Sequence, residues 1–406
     1  MKILVMNAGS SSQKSSLYEL GESSMGKPPD PLWEAQIDWT QPPTMQVKTF
    51  GGGVSVKEEL KTDSRSEGLS ELLQTLWSGE TQVIKDKSEI NMVGHRVVHG
   101  GQQYTQPTLI NAKVKDALNK LSIFAPLHNP ANIEGIEVVE QVLGSSIPQI
   151  AIFDTAFHSK MPLDIAIYPG PYEWFEQGIR RYGFHGISHQ YCAQRTAQVL
   201  NKDIQSLRLI TCHLGNGCSL AAIRNGYSVD TTMGFTPLEG LMMGSRSGSI
   251  DPGILIYLLR QDFTADQLET LLNKESGLQG ISGLSNDMRQ IMEAMDGGNE
   301  RAKLAFKMYI HRIRSHIGSM LATLGGIGID ALVFTAGVGE NAPLVRQKVC
   351  EGFEFIGLTL DKKKNSQSLL DQNIATIDSL VQVLVIHTQE DWAIAQECWK
   401  WSKKMD

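Results

Sequence analysis

Several stretches of this sequence gather side chains suited to holding an anion. Asn7-Ala8-Gly9-Ser10-Ser11-Ser12 follows the apolar run Ile3 to Met6 and precedes Lys14 and the strand-like stretch Ser15 to Leu20. Glycine lets backbone N–H groups converge on an anion, hydroxyls add donors, and a lysine adds charge. The combination suits a phosphate cradle, but the spacing is not that of a Walker A loop, so no helix-capped P-loop is implied. A serine-rich turn also serves simply as a turn. A second cluster, Gly94, His95, Arg96, His99, Gly100 and Gly101, closes the strand-like run Ile90 to Val98. An arginine flanked by glycines at the end of a buried strand is well placed to meet an anion. Solvated polar residues at a strand end are the competing reading. His128, between Pro126 and Pro130, is a rigidly held loop histidine, equally suited to proton chemistry or to a loop hydrogen bond. Asp154 follows the apolar strand Gln149 to Phe153, and open α/β sheets collect functional side chains at strand C-termini. A helix or turn cap is its alternative role.

Later stretches are of the same kind. Arg180-Arg181-Tyr182-Gly183-Phe184-His185-Gly186 is dense in cations, and Ser188 opens a helix running to Leu200. Leu207 to Cys212, the turn His213-Leu214-Gly215-Asn216-Gly217-Cys218-Ser219 and the returning strand Leu220 to Ile223 repeat the opening unit half a chain later. That recurrence points to an internal duplication, with a chance likeness of two hairpins as the alternative. From Asp230 to Gly253 the chain is irregular and carries Glu239, Arg246 and Asp251, with Gly240, Gly244 and Gly248 around the arginine. Long glycine-punctuated loops are more often functional than idle. A strand at Ala331 to Phe334, a glycine turn at Thr335 to Asn341 and a helix with Pro343 in its first turn form a plausible nucleotide-contact unit.

The elements that position these groups read as alternating strands and helices. Helical spacing is expected for Leu69 to Trp77, Lys113 to Leu121, Asn132 to Leu143, Ile254 to Arg260, Asp266 to Leu272, Glu300 to Leu324 and Trp392 to Trp399. Gly280 to Arg289 reads as a polar turn leading into a helix. Gly21 to Pro43, rich in proline, glycine and serine, reads as a surface excursion holding one short strand at Trp33, Ile37 and Trp39. At 406 residues two domains are expected. A net charge of −7 argues against a general nucleic-acid surface. Neither a membrane-spanning run nor a signal peptide is read, and the five scattered cysteines fit reduced thiols in a cytoplasmic protein rather than a disulfide frame or zinc site.

Taken together and in order, the stretches Asn7 to Lys14, Gly94 to Gly101, Pro126 to Pro130, Phe153 to His158, Tyr182 to His189, His213 to Ser219, Asp230 to Pro252 and Gly337 to Asn341 resemble the acetate kinases. These are short-chain carboxylate kinases of the actin-like phosphotransferase superfamily. The resemblance runs from Met1 to about residue 400. It implies an α/β, two-domain actin-like fold, a duplicated ribonuclease-H-like unit with a cleft between the domains. Residues 1–154 plus 387–406 would form the N-terminal domain, and 155–386 the C-terminal domain carrying the nucleotide site. It further implies a homodimer that transfers the γ-phosphoryl of ATP to acetate, giving acetyl phosphate and ADP, with Mg²⁺, or Mn²⁺ in its place, as cofactor.

By the same resemblance, Arg96 and Arg246 are the two substrate-site arginines, whose forks bind carboxylate and phosphoryl oxygens. His185 is the transition-state histidine and His128 a second histidine near the phosphoryl path; Asp154 is an essential acid that orients Arg96 or the metal. Asn7 and Glu390 form the metal site, with Asp391 as the competitor of Glu390. Lys14, Ser10 and Ser12 lie by the phosphates, as do His213, Leu214, Gly215, Asn216 and Gly217. Asp287, Met288 and Arg289, with Gly337, Val338, Gly339, Glu340 and Asn341, make the adenosine pocket, and Val98, Leu127 and Pro237 hold the substrate methyl. Gln389, Asp391 and Gln290 depart from common family residues; the last bears on base preference. A propionate or butyrate kinase is the alternative within the class. A polymerising actin-like protein and a phosphatase using Asp154 as base are the alternatives outside it.

Overall fold

Ile3, Leu4, Val5 and Met6 are all buried, so β1 (Lys2–Ala8) is a central strand covered on both faces. The computed structural model describes residues 1–9, 12–22, 28–39, 42–126, 128–326, 328–367 and 370–404. It divides into two units, Met1–Ala156 with Gln389–Asp406, and Phe157–Thr388. These breaks fall two residues beyond those set from sequence.

In the first unit β1 pairs antiparallel with β2 (Ser12–Glu19) through a hairpin that sets Asn7 opposite Lys14. On its other side β1 runs parallel to β6 (Met92–Val97), which runs parallel to β8 (Gln149–Phe153). Beyond β2 come β3 (Trp33–Asp38), β4 (Thr44–Thr49) and β5 (Ser55–Glu59), and β7 (Thr108–Leu109) closes the far edge. The second unit repeats the plan. Here β9 (Arg208–Leu214) pairs antiparallel with β10 (Cys218–Arg224), which pairs with β11 (Tyr227–Thr231). On its other side β9 runs parallel to β12 (Ala331–Thr335), and β12 to β14 (Gln382–Val385), with β13 (Gln372–Asn373) at the edge. The order β3-β2-β1-β6-β8 in one sheet corresponds to β11-β10-β9-β12-β14 in the other, strand sense included. The two strand–turn–strand units therefore occupy equivalent places in two copies of one fold.

Sequence periodicity misses some elements, for identifiable reasons. Trp33 is fully buried and its indole N–H donates to Thr75 Oγ1 at 3.2 Å, so the strand within the Gly21 to Pro43 stretch packs into the core rather than lying on the surface. The strand β5 is nearly all exposed and is held by backbone pairing to β4, which leaves no hydrophobic signature. Gly277–Ser282 is a short helix inside what reads as a polar turn. The expected glycine turn Thr335 to Asn341 is also helical, Ala336–Asn341, and starts with Ala336 at φ +64°. The helix from Glu300 buries Phe306, Tyr309, Ile310, Ile313, Ile317 and Met320 as expected, but Leu304 is exposed.

The closing helix, Glu390–Ser402, returns to the first unit and packs on β1 and β6. It begins two residues earlier than expected, which places Glu390 and Asp391 in its first turn. Close approach depends on Gly94: a Cβ there would lie 2.6 Å from Cys398 Sγ and 2.7 Å from Ile394 Cγ2. Gly94→Ala is therefore expected to destabilise the protein by about 1–3 kcal/mol through overpacking. Gly135→Ala, in helix Asn129–Leu143 with nothing within 4 Å of the new Cβ, is expected to stabilise it by about 0.5–1 kcal/mol. Urea-denaturation midpoints of the two variants check both signs.

Candidate active site

In the first unit, β1, β6 and β8 deliver Asn7, Arg96 and Asp154 at or just beyond their C-terminal ends. Arg96 Nη2 donates to Asp154 Oδ2 at 2.7 Å, and Nη1 donates to the Ala8 carbonyl at 3.1 Å. Asp154 is 1% exposed, so the pair is withdrawn from water, and the nearby carboxylates Asp154, Glu390 and Asp391 hold the Arg96 guanidinium firmly charged against the desolvation that opposes it. Arg96 Nε is buried and has no hydrogen-bond partner among the described residues. The segment after β6 is pinned by side chains that sequence reasoning missed. Asn132 Oδ1 accepts from Val98 N at 3.0 Å and Asn129 Oδ1 from His99 N at 3.2 Å. Both asparagines sit in the first turn of helix Asn129–Leu143, whose N-cap is His128. The loop histidine thus lies at a helix start; Leu127 lies outside the described residues, as does Ser10.

Asn7 acts as a brace. Its amide Nδ2 donates to Asp391 Oδ1 at 2.7 Å and more weakly to Glu390 Oε2 at 3.4 Å. Ser16 Oγ donates to Asp391 Oδ2 at 2.8 Å, so both Asp391 oxygens are engaged, and burial raises its carboxyl above the usual range. Glu390 is the less committed carboxylate. Among the described residues no group of three or more His, Cys, Asp or Glu side chains is arranged to hold a metal. An amide oxygen and one or two carboxylates nevertheless match the partial shell from which Mg²⁺ is bound when waters and phosphate oxygens complete it. Lys14 is exposed and Ser12 half-buried, both on the hairpin strand opposite β1.

The second unit builds its groups around the turn from β9 to β10. A Cβ on Gly217 would lie 3.4 Å from His185 Nε2 and 3.7 Å from Arg246 Nη1, so the glycine leaves room where the two side chains meet. His185 is the N-cap of helix Gly186–Leu200, at φ +56°, and its ring stacks on His213 with centroids 4.1 Å apart. Arg246 Nη1 donates to the Pro237 carbonyl at 3.2 Å. That carbonyl belongs to a segment stapled by Arg181, whose Nη1 donates to the carbonyls of Thr231, Thr232 and Met233 while Nη2 donates to Glu239 Oε1 at 2.8 Å. The Tyr168 hydroxyl donates to the other Glu239 oxygen. Glu239 and Arg181, functional-looking in sequence, thus hold the loop in shape, and Asp251 caps helix Pro252–Leu259.

Beside this turn lies a cavity of about 460 Å³, within the range of small-molecule sites. Gly215, Asn216, Asp287, Met288, Arg289, Gly337, Val338 and Asn341 line it, together with Leu278, Asn286, Met292 and Ala342. Met288 and Met292 are spaced i, i+4 on one face of helix Met288–Asp296, a signal that would have found Met292. Five nucleotide contacts expected in the second unit do not line it: His213, Leu214, Gly217, Gly339 and Glu340. Glu340 is turned into the fold: Oε1 accepts from Ala336 N at 2.9 Å and Thr388 N at 3.1 Å, and Oε2 meets His387 Nδ1 at 2.7 Å. Its carboxylate secures the left-handed start of helix Ala336–Asn341. Gly339 gives its carbonyl to buried Arg346, Leu214 is fully buried, and His213 bonds Ser188 Oγ through Nδ1 at 2.8 Å. Hydrogen bonds within the fold thus hold Gly339, Glu340 and His213, and Leu214 is part of the buried strand β9.

Comparison with known proteins gives the same direction. Residues 2–396 match the Acetokinase family. The chain is 61% identical over 404 residues to an acetate kinase of Cyanothece sp., covering 98% of each protein. It is 60% identical to one of Gloeobacter violaceus, covering 98% of this chain and 99% of that protein. Among solved structures it resembles acetate kinase of Porphyromonas gingivalis (TM-score 0.89, 39% identity, 98% of this chain and 99% of that one). A propionate kinase of Francisella tularensis is similar to nearly the same degree (TM-score 0.88, 38% identity, 98% of each chain). The mixed α/β, two-domain actin-like architecture is that of these enzymes.

Three buried histidines tie this site to pH. Burial lowers His95 and His99, on either side of Arg96, to about 4, and holds His189 well below its ordinary value. Each is neutral when folded and takes up a proton on unfolding at pH below about 6.5. Their contribution is therefore present above pH 6.5 and is lost as pH falls toward 4. At pH 5 the loss is about 2 kcal/mol each for His95 and His99. Urea midpoints measured at pH 7 and pH 5 should fall accordingly, and His95→Gln should flatten the dependence.

Proposed function

The chain belongs to the acetokinase family, and from that premise we infer how its residues carry out ATP-dependent phosphorylation of acetate. The meeting of His185 and Arg246 over Gly217, beside the cavity lined by Gly215, Asn216 and Asp287, is the observation that carries the reading. The cavity would take the nucleoside of ATP, with its phosphates running toward Gly215 to Gly217. Arg246 and His185 would then donate to the oxygens of the transferring phosphoryl group. A carboxylate acceptor is ionised at neutral pH and needs no general base, so positioning and charge stabilisation supply the acceleration.

Arg96 is assigned to the carboxylate and phosphoryl oxygens, where its buried Nε would find a partner. Asp154 orients it. A phosphatase reading would require Asp154 to activate water, and its engagement with Arg96 weighs against that. Lys14, Ser12 and His128 are assigned to phosphate contacts, and Val98 and Pro237 to the methyl of acetate. Glu390 and the Asn7 amide oxygen would hold Mg²⁺, with Asp391 bracing Asn7. The ion, when bound, would supply positive charge against the phosphates.

We also propose a homodimer in the cytoplasm. Helix Pro252–Leu259 exposes Ile254, Ile256, Tyr257 and Leu259, an apolar surface of the kind that partners cover. Among the described residues no helix is long and apolar enough to cross a membrane.

Steady-state kinetics test the assignment. Arg246→Ala should lower kcat by about 10³–10⁵ with the KM for ATP little changed. His185→Ala should lower it by about 10²–10³, as for loss of one donor among several. Wild-type kcat in the first variant would refute the role of Arg246. A hydroxamate assay should give a higher kcat/KM for acetate than for propionate or butyrate. One methylene is worth about 1–3 kcal/mol, so measurable turnover of propionate is expected.

A further inference from the structure

His185 is held by a chain of hydrogen bonds that ends in the core of the second unit. Its Nδ1 lies 2.9 Å from Ser219 Oγ, which lies 2.7 Å from Nε2 of the fully buried His189. His189 Nδ1 in turn lies 2.7 Å from Thr211 Oγ1. The geometry follows from element periodicity. Helix Gly186–Leu200 and its N-cap present His185, Ser188 and His189 on one face, while Thr211 and His213 share one face of β9. Ser219 pairs with His213 across the hairpin, and Thr211 pairs with Ala221.

Two proton orders could close this chain, because a neutral imidazole carries one N–H. His189 is neutral: burial holds it so, and the neighbouring His158 and His213 add to the effect. If His189 donated from Nδ1 to Thr211, the threonine hydroxyl proton would be left to the Ala221 carbonyl at 3.5 Å, a poor bond. If Thr211 donates to His189 Nδ1, then His189 donates from Nε2 to Ser219, and Ser219 donates to His185 Nδ1. Every proton then sits in a bond of 2.7–2.9 Å.

We propose that Thr211, His189 and Ser219 form a proton-ordered relay that fixes His185 as its Nε2–H tautomer and aims that N–H at the space beside Gly217 and Arg246. His185 then offers a hydrogen bond to a phosphoryl oxygen as a neutral ring. Stacking on His213, itself tied to Ser188, fixes the ring plane, and the two constraints together sustain the left-handed backbone at φ +56°. Ser219 is a positioning residue that acts through His185. The proposal rests on the role assigned to His185 above.

Long-range ¹H–¹⁵N correlation of ¹⁵N-histidine-labelled protein at pH 7.5, with His185 assigned from the His185→Ala spectrum, reads the tautomer directly. The expected result is a protonated Nε2 and a bare Nδ1; a protonated Nδ1 in the wild-type protein would overturn the relay. Ser219→Ala should lower kcat about tenfold with KM values within about twofold, and should add nothing in a His185→Ala background. An equal loss in both backgrounds would mean that Ser219 acts independently of His185 and would also overturn the proposal. Wild-type kcat in His185→Ala would instead remove the assigned role of His185, while the wild-type tautomer still reports on the relay.

Discussion

A central strand covered on both faces can leave a polar group open to a ligand only at its ends, and elsewhere must bond it within the fold. Both sheets obey this constraint. The strands β1, β6 and β8 are buried along most of their length, with His95 and Gln149 bonded to each other, and present Asn7, Arg96 and Asp154 at or past the C-terminal edge. The strand β9 does the same with His213, and the hairpin to β10 brings Gly217 and Ser219 back beside it. Antiparallel pairing on one side and parallel pairing on the other make every polar end in a sheet fall on the same edge, which is the ligand-binding edge of open α/β sheets.

The polar ends then need partners, since a buried charge or donor without one is costly. In the first unit Arg96 and Asp154 satisfy each other while Asn7 and Ser16 hold Asp391. Breaking a buried pair of the Arg96–Asp154 kind typically costs about 3–5 kcal/mol. In the second unit the corresponding role falls to hydroxyls and imidazoles. Ser188 and Ser219 each bridge two groups there, and Glu340 fastens the helix beside the cavity. One unit therefore stabilises its edge by charge pairing and the other mainly by chains of hydroxyl and imidazole hydrogen bonds.

Much of the fold was legible beforehand because its strands carry continuous apolar runs bounded by glycine and polar turns. The strands at Gln149–Phe153 and Ala331–Thr335, and the long helix from Glu300, were visible within a residue at each end. Among the elements missed are some held by backbone pairing alone or started by an unusual backbone: β5, the short helix Gly277–Ser282, and the helix begun by Ala336 at φ +64°. Of the nucleotide-pocket residues, those on helix and turn surfaces do line the cavity. Glu340 does not, because a carboxylate near a helix start is drawn to the backbone N–H groups there.

The amino-acid sequence by itself determined the family, the two copies of the strand–turn–strand unit and the identity of the cationic groups, since all three are local patterns of residue type and spacing. Tertiary structure decided which oxygen or nitrogen of each group is available. It placed both Asp391 oxygens in hydrogen bonds and left Glu390 less committed, and it turned Arg181 and Glu239 into a staple. It also linked His185 through Ser219 to His189 and Thr211. Those outcomes depend on contacts between residues far apart in the chain, and a hydrogen bond formed by folding has no signature in local spacing.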